Sequence, residues 1–80
     1  MYIVDTKALK KAMIDADIES IVDFSEKAHL DRNTVSDVVN GRIYPSSGVI
    51  KKMAATLNLA SDMCGNIFFA QELTSNASED

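Results

Sequence analysis

The sequence has few of the residues that small proteins use in place of a large core. It has one cysteine, one histidine and no tryptophan, so an internal disulfide and a Cys/His zinc site are both excluded. Aromatic residues make up only 6% of the chain, and the core must therefore be aliphatic. No apolar run approaches the roughly 18 residues that cross a bilayer, and no signal peptide is visible. We expect one small domain in a reducing cytoplasm, that of a bacterial host cell.

Catalytic arrangements are also missing. The three glycines form no phosphate-binding loop. The single Cys64 and the single His29 make no nucleophile and base pair with a third group to orient it. We expect no enzymatic activity, no cofactor, no metal and no small-molecule substrate. His29 is interpreted as a turn residue, and Cys64 as a buried or idle thiol.

The charge balance is acidic, with a formal net charge of −4 and a pI near 4.7. Affinity for the phosphate backbone comes mainly from Lys and Arg, so strong nonspecific binding of nucleic acid is disfavoured. Glu72, Glu79 and Asp80 lie at the end of the chain. We predict a folded domain over residues 1–70 and an acidic, disordered tail over residues 71–80.

The central stretch, residues 21–39, has the pattern of two short helices joined by a tight turn. Small or apolar residues recur at helical spacing in both halves. These are Phe24, Ser25 and Ala28, followed by Val35, Val38 and Val39. Asp31 stands where a helix N-cap belongs, and His29 occupies a turn position that favours a positive φ. The pattern predicts a helix-turn-helix.

Three further helices are predicted around this unit. The first is capped by Asp5 or Thr6 and runs to about residue 16, the fourth is opened by Ser46 or Ser47, and the fifth is capped by Ser61 and covers residues 62–71. Gly41 and Asn58 are predicted to end helices in the left-handed conformation. The inner faces are predicted to be Leu9, Ala12, Met13 and Ala16, then Val49, Ile50, Met53, Ala54 and Leu57, then Met63, Ile67 and Phe68.

Over residues 6–68 this order of helices resembles the lambda-repressor-like helix-turn-helix domains of phage repressors and Cro-type proteins. The resemblance is carried by Asn40, Gly41 and Arg42 after the third helix, by Pro45 with the serines of the fourth, and by the segment Leu57, Asn58, Leu59, Ala60, Ser61. It implies an all-α, five-helix domain in which the third helix faces DNA.

The sequence departs from that family pattern at positions that bear on function. The family usually begins its second helix with a Gln that contacts a phosphate, whereas this chain has Ile21, which cannot hydrogen-bond. His29 replaces the turn glycine, and Ser25 replaces an alanine. Asp37 is predicted on the exposed face of the third helix, where a carboxylate repels phosphates unless it accepts from a cytosine amino group.

The candidate binding residues lie on the second and third helices and just beyond them. They are Asp23, Glu26, Arg32, Asn33, Thr34, Ser36, Asp37, Asn40 and Arg42. Arg32 suits guanine and Asn33 suits adenine by bidentate hydrogen bonding. The acidic members suit the basic surface of another helix-turn-helix protein. The alternative is that these are ordinary solvated side chains.

The whole chain also resembles the small modulator-of-repression proteins of temperate-phage switches, by its size, its acidic helix-turn-helix and its opening MYIVDTKALKKAM. The first hypothesis is therefore an antirepressor that binds the cognate phage repressor, with DNA contacted mainly in that complex. The second is a Cro-like dimer that reads an operator directly, with Lys51 and Lys52 adding phosphate contacts. A third is a fold-only component of a larger assembly. Phe69 and Leu73, beside Ile3 and Val4, form either an association patch or part of the monomer's own packing.

Overall fold

The computed structural model describes residues 2–71 and contains five helices and a short antiparallel strand pair. The elements are β1 (Tyr2–Ile3), α1 (Thr6–Asp15), α2 (Ile21–Ala28), α3 (Arg32–Val39), α4 (Ser47–Leu57), α5 (Ser61–Phe68) and β2 (Ala70–Gln71). The predicted all-α, five-helix fold is confirmed. The tail residues named above, Glu72, Leu73, Glu79 and Asp80, lie outside the described residues, and the division into domain and tail stays a prediction.

The core is built mostly from aliphatic side chains around two phenylalanines, with α2 packing on both α3 and α4, and α1 on both α3 and α5. Its largest fully buried side chains are Phe24, Phe68, Leu9, Met53, Ile67, Val35 and Val38. Each such side chain contributes about 1.5–3 kcal/mol by leaving water. Valine is a poor helix former, so this burial, rather than local propensity, holds α3 in helical form.

Side chains cap the first four helices at their N-termini. The Asp5 carboxylate accepts from the Ala8 N–H at 3.1 Å, and the Ser46 hydroxyl accepts from the Val49 N–H at 3.3 Å, which decides both positions where the sequence left two candidates. Ser20 caps α2 by accepting from the Asp23 N–H at 3.0 Å. These bonds satisfy backbone donors that have no partner inside a helix.

The first four helices end alike, with the chain reversing through a residue of positive φ. The residues are Asp17 (φ 61°), His29 (57°), Gly41 (76°) and Asn58 (55°). The next N–H then bonds back to a carbonyl near the helix end, as Leu30 does to Ser25 at 2.9 Å and Leu59 to Ala54 at 3.0 Å. This is the Schellman arrangement. The left-handed positions of His29, Gly41 and Asn58 are confirmed, and Asp17 adds one that the pattern did not reveal.

The last helix departs most from expectation. Its N-cap is Ala60, which has no side chain able to bond, so the predicted Ser61 cap was wrong. The helix ends at Phe68 instead of continuing to residue 71, because Ala70 and Gln71 pair with Ile3 and Tyr2. Met63 is 43% exposed, so its predicted place on the inner face was also wrong. Ile67 and Phe68 are fully buried.

Three other side chains predicted on inner faces lie at the edge of the core. Ala16, Val49 and Ala54 are only partly buried. Val49 and Ala54 flank the buried stripe of α4, and Ala16 is the C-cap residue that follows the last residue of α1.

Gly41→Ala is expected to lower the free energy of unfolding by about 1–2 kcal/mol, because a left-handed backbone strains any Cβ. That Cβ would also lie 3.2 Å from Thr6 Cγ2. Gly65→Ala is the matched control: its Cβ meets nothing within 4 Å. It lies inside α5 and should raise the same free energy by about 0.5–1 kcal/mol. Urea unfolding checks both, and equal shifts for the two variants would contradict the assignment of strain to Gly41.

Candidate nucleic-acid interface

The exposed face of α3 is defined by the face that the core covers. Val35, Val38 and Val39 are between 0 and 3% exposed. Because a helix repeats every 3.6 residues, Asn33, Ser36, Asp37 and Asn40 fall on the side away from the valines, and Arg32 and Thr34 lie on the two flanks. Arg32, Asn33 and Asn40 are exposed, while Thr34, Ser36 and Asp37 are partly buried. The structure thus brings Asn33, Ser36, Asp37 and Asn40 together on one side of α3 and leaves Arg32 and Thr34 at its edges.

The beginning of α3 is open to a ligand. Asp31 holds it in place by accepting from the Asn33 N–H at 2.9 Å and the Thr34 N–H at 3.2 Å. Within residues 2–71, the Arg32 and Asn33 side chains make no hydrogen bond or ion pair. Their donors therefore point to solvent at the end of the helix that reaches base edges in helix-turn-helix domains.

At the end of α3 the polar side chains bond to neighbouring groups of the same segment. The Asn40 side-chain amide donates to the Ser36 carbonyl at 2.9 Å. The Arg42 guanidinium donates from Nη1 to Asp37 Oδ1 at 3.2 Å and forms an ion pair with it. The side chains of Ser36, Asp37, Asn40 and Arg42 are thus already partnered, which leaves the start of the helix as its more available half.

A second ion pair lies on α2. Lys27 Nζ approaches Asp23 Oδ2 at 3.3 Å, and the same oxygen accepts from the Glu19 N–H at 3.3 Å. Ser20 and Asp23 therefore form an incomplete capping box, since Asp23 reaches Glu19 instead of the N–H of Ser20. Glu26 is exposed and takes no part in either of the ion pairs among the described residues.

Ile21 occupies the first position of α2. It is partly buried and packs against the core. An apolar side chain there can neither donate to a phosphate nor brace α3 by a hydrogen bond. At Ile21 this end of α2 consequently has no side-chain donor for a phosphate.

Tyr44 anchors the loop that follows α3, a role that the sequence pattern did not reveal. Its hydroxyl donates to the Phe68 carbonyl at the end of α5. Partial burial raises the pKa of the Tyr44 phenol above its ordinary value, and the charges of Tyr2 and Cys64 raise it further. An aromatic residue directly before the only proline was the available signal. The bond fixes the loop that carries Arg42.

The comparisons with known proteins agree with this geometry. A family model described as helix-turn-helix matches residues 20–62, more than half of the chain. The chain belongs to the helix-turn-helix family. No curated protein matches it, and no solved structure does. Helix-turn-helix proteins of this kind are DNA-binding regulators of transcription and are generally not enzymes. The matched region covers every candidate residue, from Asp23 to Arg42.

Two other properties of this helix-turn-helix protein can be stated for the residues that the structure describes. No group of three or more His, Cys, Asp or Glu side chains there is placed to hold a metal ion. No helix there is long and apolar enough to pass through a bilayer.

The predicted apolar patch beside the strands is divided between core and surface. Val4 is buried and Ile3 is partly buried, whereas Phe69 is 43% exposed. The Phe69 ring packs edge-to-face on Tyr2, with centroids 5.4 Å apart. Leu73 lies outside the described residues. The two rings therefore cover each other in part on the monomer.

Tyr44→Phe is expected to lower the free energy of unfolding near neutral pH by about 0.5–1.5 kcal/mol, since the Phe68 carbonyl loses its donor. The pKa of Tyr44 is raised on folding, so this contribution is complete below about pH 10 and is lost as the pH rises through the folded-state value. Urea unfolding between about pH 7 and pH 11 checks it. Tyr2→Phe, which keeps the stacking ring, is the control. A difference between wild type and Tyr44→Phe that does not shrink at high pH would contradict this role.

Proposed function

We propose that this transcription regulator acts in a temperate-phage genetic switch as an antirepressor in the bacterial cytoplasm. It binds the cognate phage repressor through α2 and α3 and thereby alters operator binding by that repressor. The observation that carries the proposal is the charge on this surface. Residues 20–42 hold four carboxylates, Asp23, Glu26, Asp31 and Asp37, against three cations, Lys27, Arg32 and Arg42.

Unaided binding to DNA requires cations that neutralise phosphates and release counterions. Lys27 and Arg42 are each already paired with a carboxylate of this same surface. Arg32 is the cation outside both of these ion pairs. A surface with so little available positive charge binds a polyanion weakly. In this chain the family's fold then serves to bind a protein.

A repressor of the same family offers the complementary surface. The basic side chains that it uses for phosphates suit Glu26 and the remaining carboxylate oxygens of this chain, and such complementarity speeds association. A repressor held in this way is occluded from its operator, or binds it in a changed mode when both proteins assemble there. The apolar Ile21 at the start of α2 supports contact with protein.

The test mixes the purified protein with its cognate repressor and measures repressor occupancy of the operator. A complex and a change in occupancy are expected. Glu26→Lys should weaken the complex about tenfold, because it places like charges face to face. Asp15→Lys makes the same charge change on α1, away from this surface, and should leave the affinity within about twofold. No complex and no change in occupancy would contradict the proposal.

A second function, a Cro-like dimer that reads an operator directly, is supported by the open start of α3. Arg32 and Asn33 present unsatisfied donors there, and Lys51 and Lys52 are exposed on α4. In that case Arg32→Ala should cost about 1–3 kcal/mol of operator affinity and relax specificity at one base pair. Lys10→Ala on α1 is the control of equal charge. Absence of salt-sensitive binding to the promoter region by the protein alone would rule this function out.

A further inference from the structure

Asp37 and Arg42 are joined twice. Their side chains form the ion pair, with Nη1 3.2 Å from Oδ1, and the Arg42 N–H donates to the Asp37 carbonyl at 2.8 Å. The backbone bond belongs to the reversal at Gly41, whose φ is 76°. This reversal carries Arg42 back toward α3, so its guanidinium lies over the exposed face of that helix without any longer-range contact to place it there.

The Asp37–Arg42 pair is exposed, so it affects the charge of the surface more than the stability of the fold. The Arg42 side chain is 61% exposed and the Asp37 side chain 38% exposed. An exposed ion pair contributes little to stability. Its consequence is at the surface: a guanidinium beside the recognition helix is neutralised, and a carboxylate is held on the face that would meet a duplex.

We propose that Asp37 is the specificity-determining residue of the α2–α3 surface. It withholds Arg42 from phosphate and sets a negative charge against the duplex, so that the surface prefers a protein partner to DNA. This inference rests on the proposed function in that it concerns the same surface. The Asp37–Arg42 ion pair has no net charge, so it cannot displace a counterion from a phosphate. The guanidinium of Arg42 without Asp37 carries one positive charge and can displace one.

The chain supplies its own control in the Asp23–Lys27 pair. That pair joins the same charges at nearly the same distance, 3.3 Å, but within α2. Asp23→Asn and Asp37→Asn therefore change the net charge equally and each releases one cation. They differ in whether the released cation lies beside α3. A third variant, Asp37→Asn with Arg42→Gln, removes the carboxylate and the guanidinium together and restores the wild-type net charge.

The experiment measures the fluorescence anisotropy of a labelled duplex of mixed sequence, about 20 base pairs long, between about 50 and 300 mM salt. Asp37→Asn should bind about tenfold more tightly than wild type at low salt. Its plot of log K against log salt should steepen by about 0.9 for each additional phosphate that the variant neutralises. Asp23→Asn should bind about threefold more tightly at most, with little change of slope. The double variant should fall back to within about twofold of wild type.

Equal affinities and slopes for Asp37→Asn and Asp23→Asn would overturn the inference, because general charge would then explain the tighter binding. If the double variant binds the duplex as tightly as Asp37→Asn, the claim that the released Arg42 contacts phosphate would be overturned. Circular dichroism verifies folding, and Asp37→Ser replaces Asp37→Asn if the latter fails to fold.

The result of this duplex-binding experiment can be distinguished from the result of the repressor-binding test of the proposed function. If wild type binds no repressor while Asp37→Asn binds the duplex more tightly, the inference that Asp37 keeps Arg42 from phosphate stands and the antirepressor role fails. If wild type binds the repressor while Asp37→Asn binds the duplex no better than wild type, the role stands and the inference fails.

Discussion

Burial of the valine face of α3 is the constraint on which the rest depends. Val35 and Val38 are fully buried, and their removal from water offsets the poor helix propensity of valine. This burial fixes the rotation of α3 about its axis. Arg32 and Asn33 are available to a partner because the valines of the same helix face the core. The core therefore decides which side chains are available at the surface, and the caps at Asp31 and Gly41 decide where the helix begins and ends.

Most of the fold could be predicted because its determinants are local. An N-cap bonds to a residue two or three positions away, and a left-handed residue such as Gly41 closes a helix with bonds across about five positions. The end of α5 has no such local signal. Phe69 and Ala70 are compatible with a helix, and only pairing of β2 with β1, across nearly the whole chain, overrides that pattern. Met63 lies in the first turn of α5, and helical periodicity does not reveal whether a neighbouring element covers that turn.

The candidate site was predictable in part for the same reason. Periodicity identified the exposed residues of α3, and the spacing of Asp23 and Lys27 is one that commonly forms a pair on a helix. The Asp37–Arg42 pair spans five positions, a spacing that does not align on a continuous helix. It forms because the chain reverses at Gly41. It could therefore be predicted only from the path that the backbone takes after α3. The bond from Tyr44 to Phe68 joins residues 24 positions apart, and no local pattern announces it.

The acidic composition and the helix-turn-helix fold are compatible once charge pairing is considered. The fold is maintained by buried apolar contacts and by helix caps, whereas the preference for DNA or protein depends on exposed side chains that contribute little to stability. The Asp37–Arg42 pair belongs to the second group, since both side chains remain substantially exposed. A change at Asp37 therefore alters the charge presented by α3 without touching Val35 or Val38. Because fold and charge are separately determined in this chain, family membership establishes the shape of the surface and leaves its partner to be determined by charge.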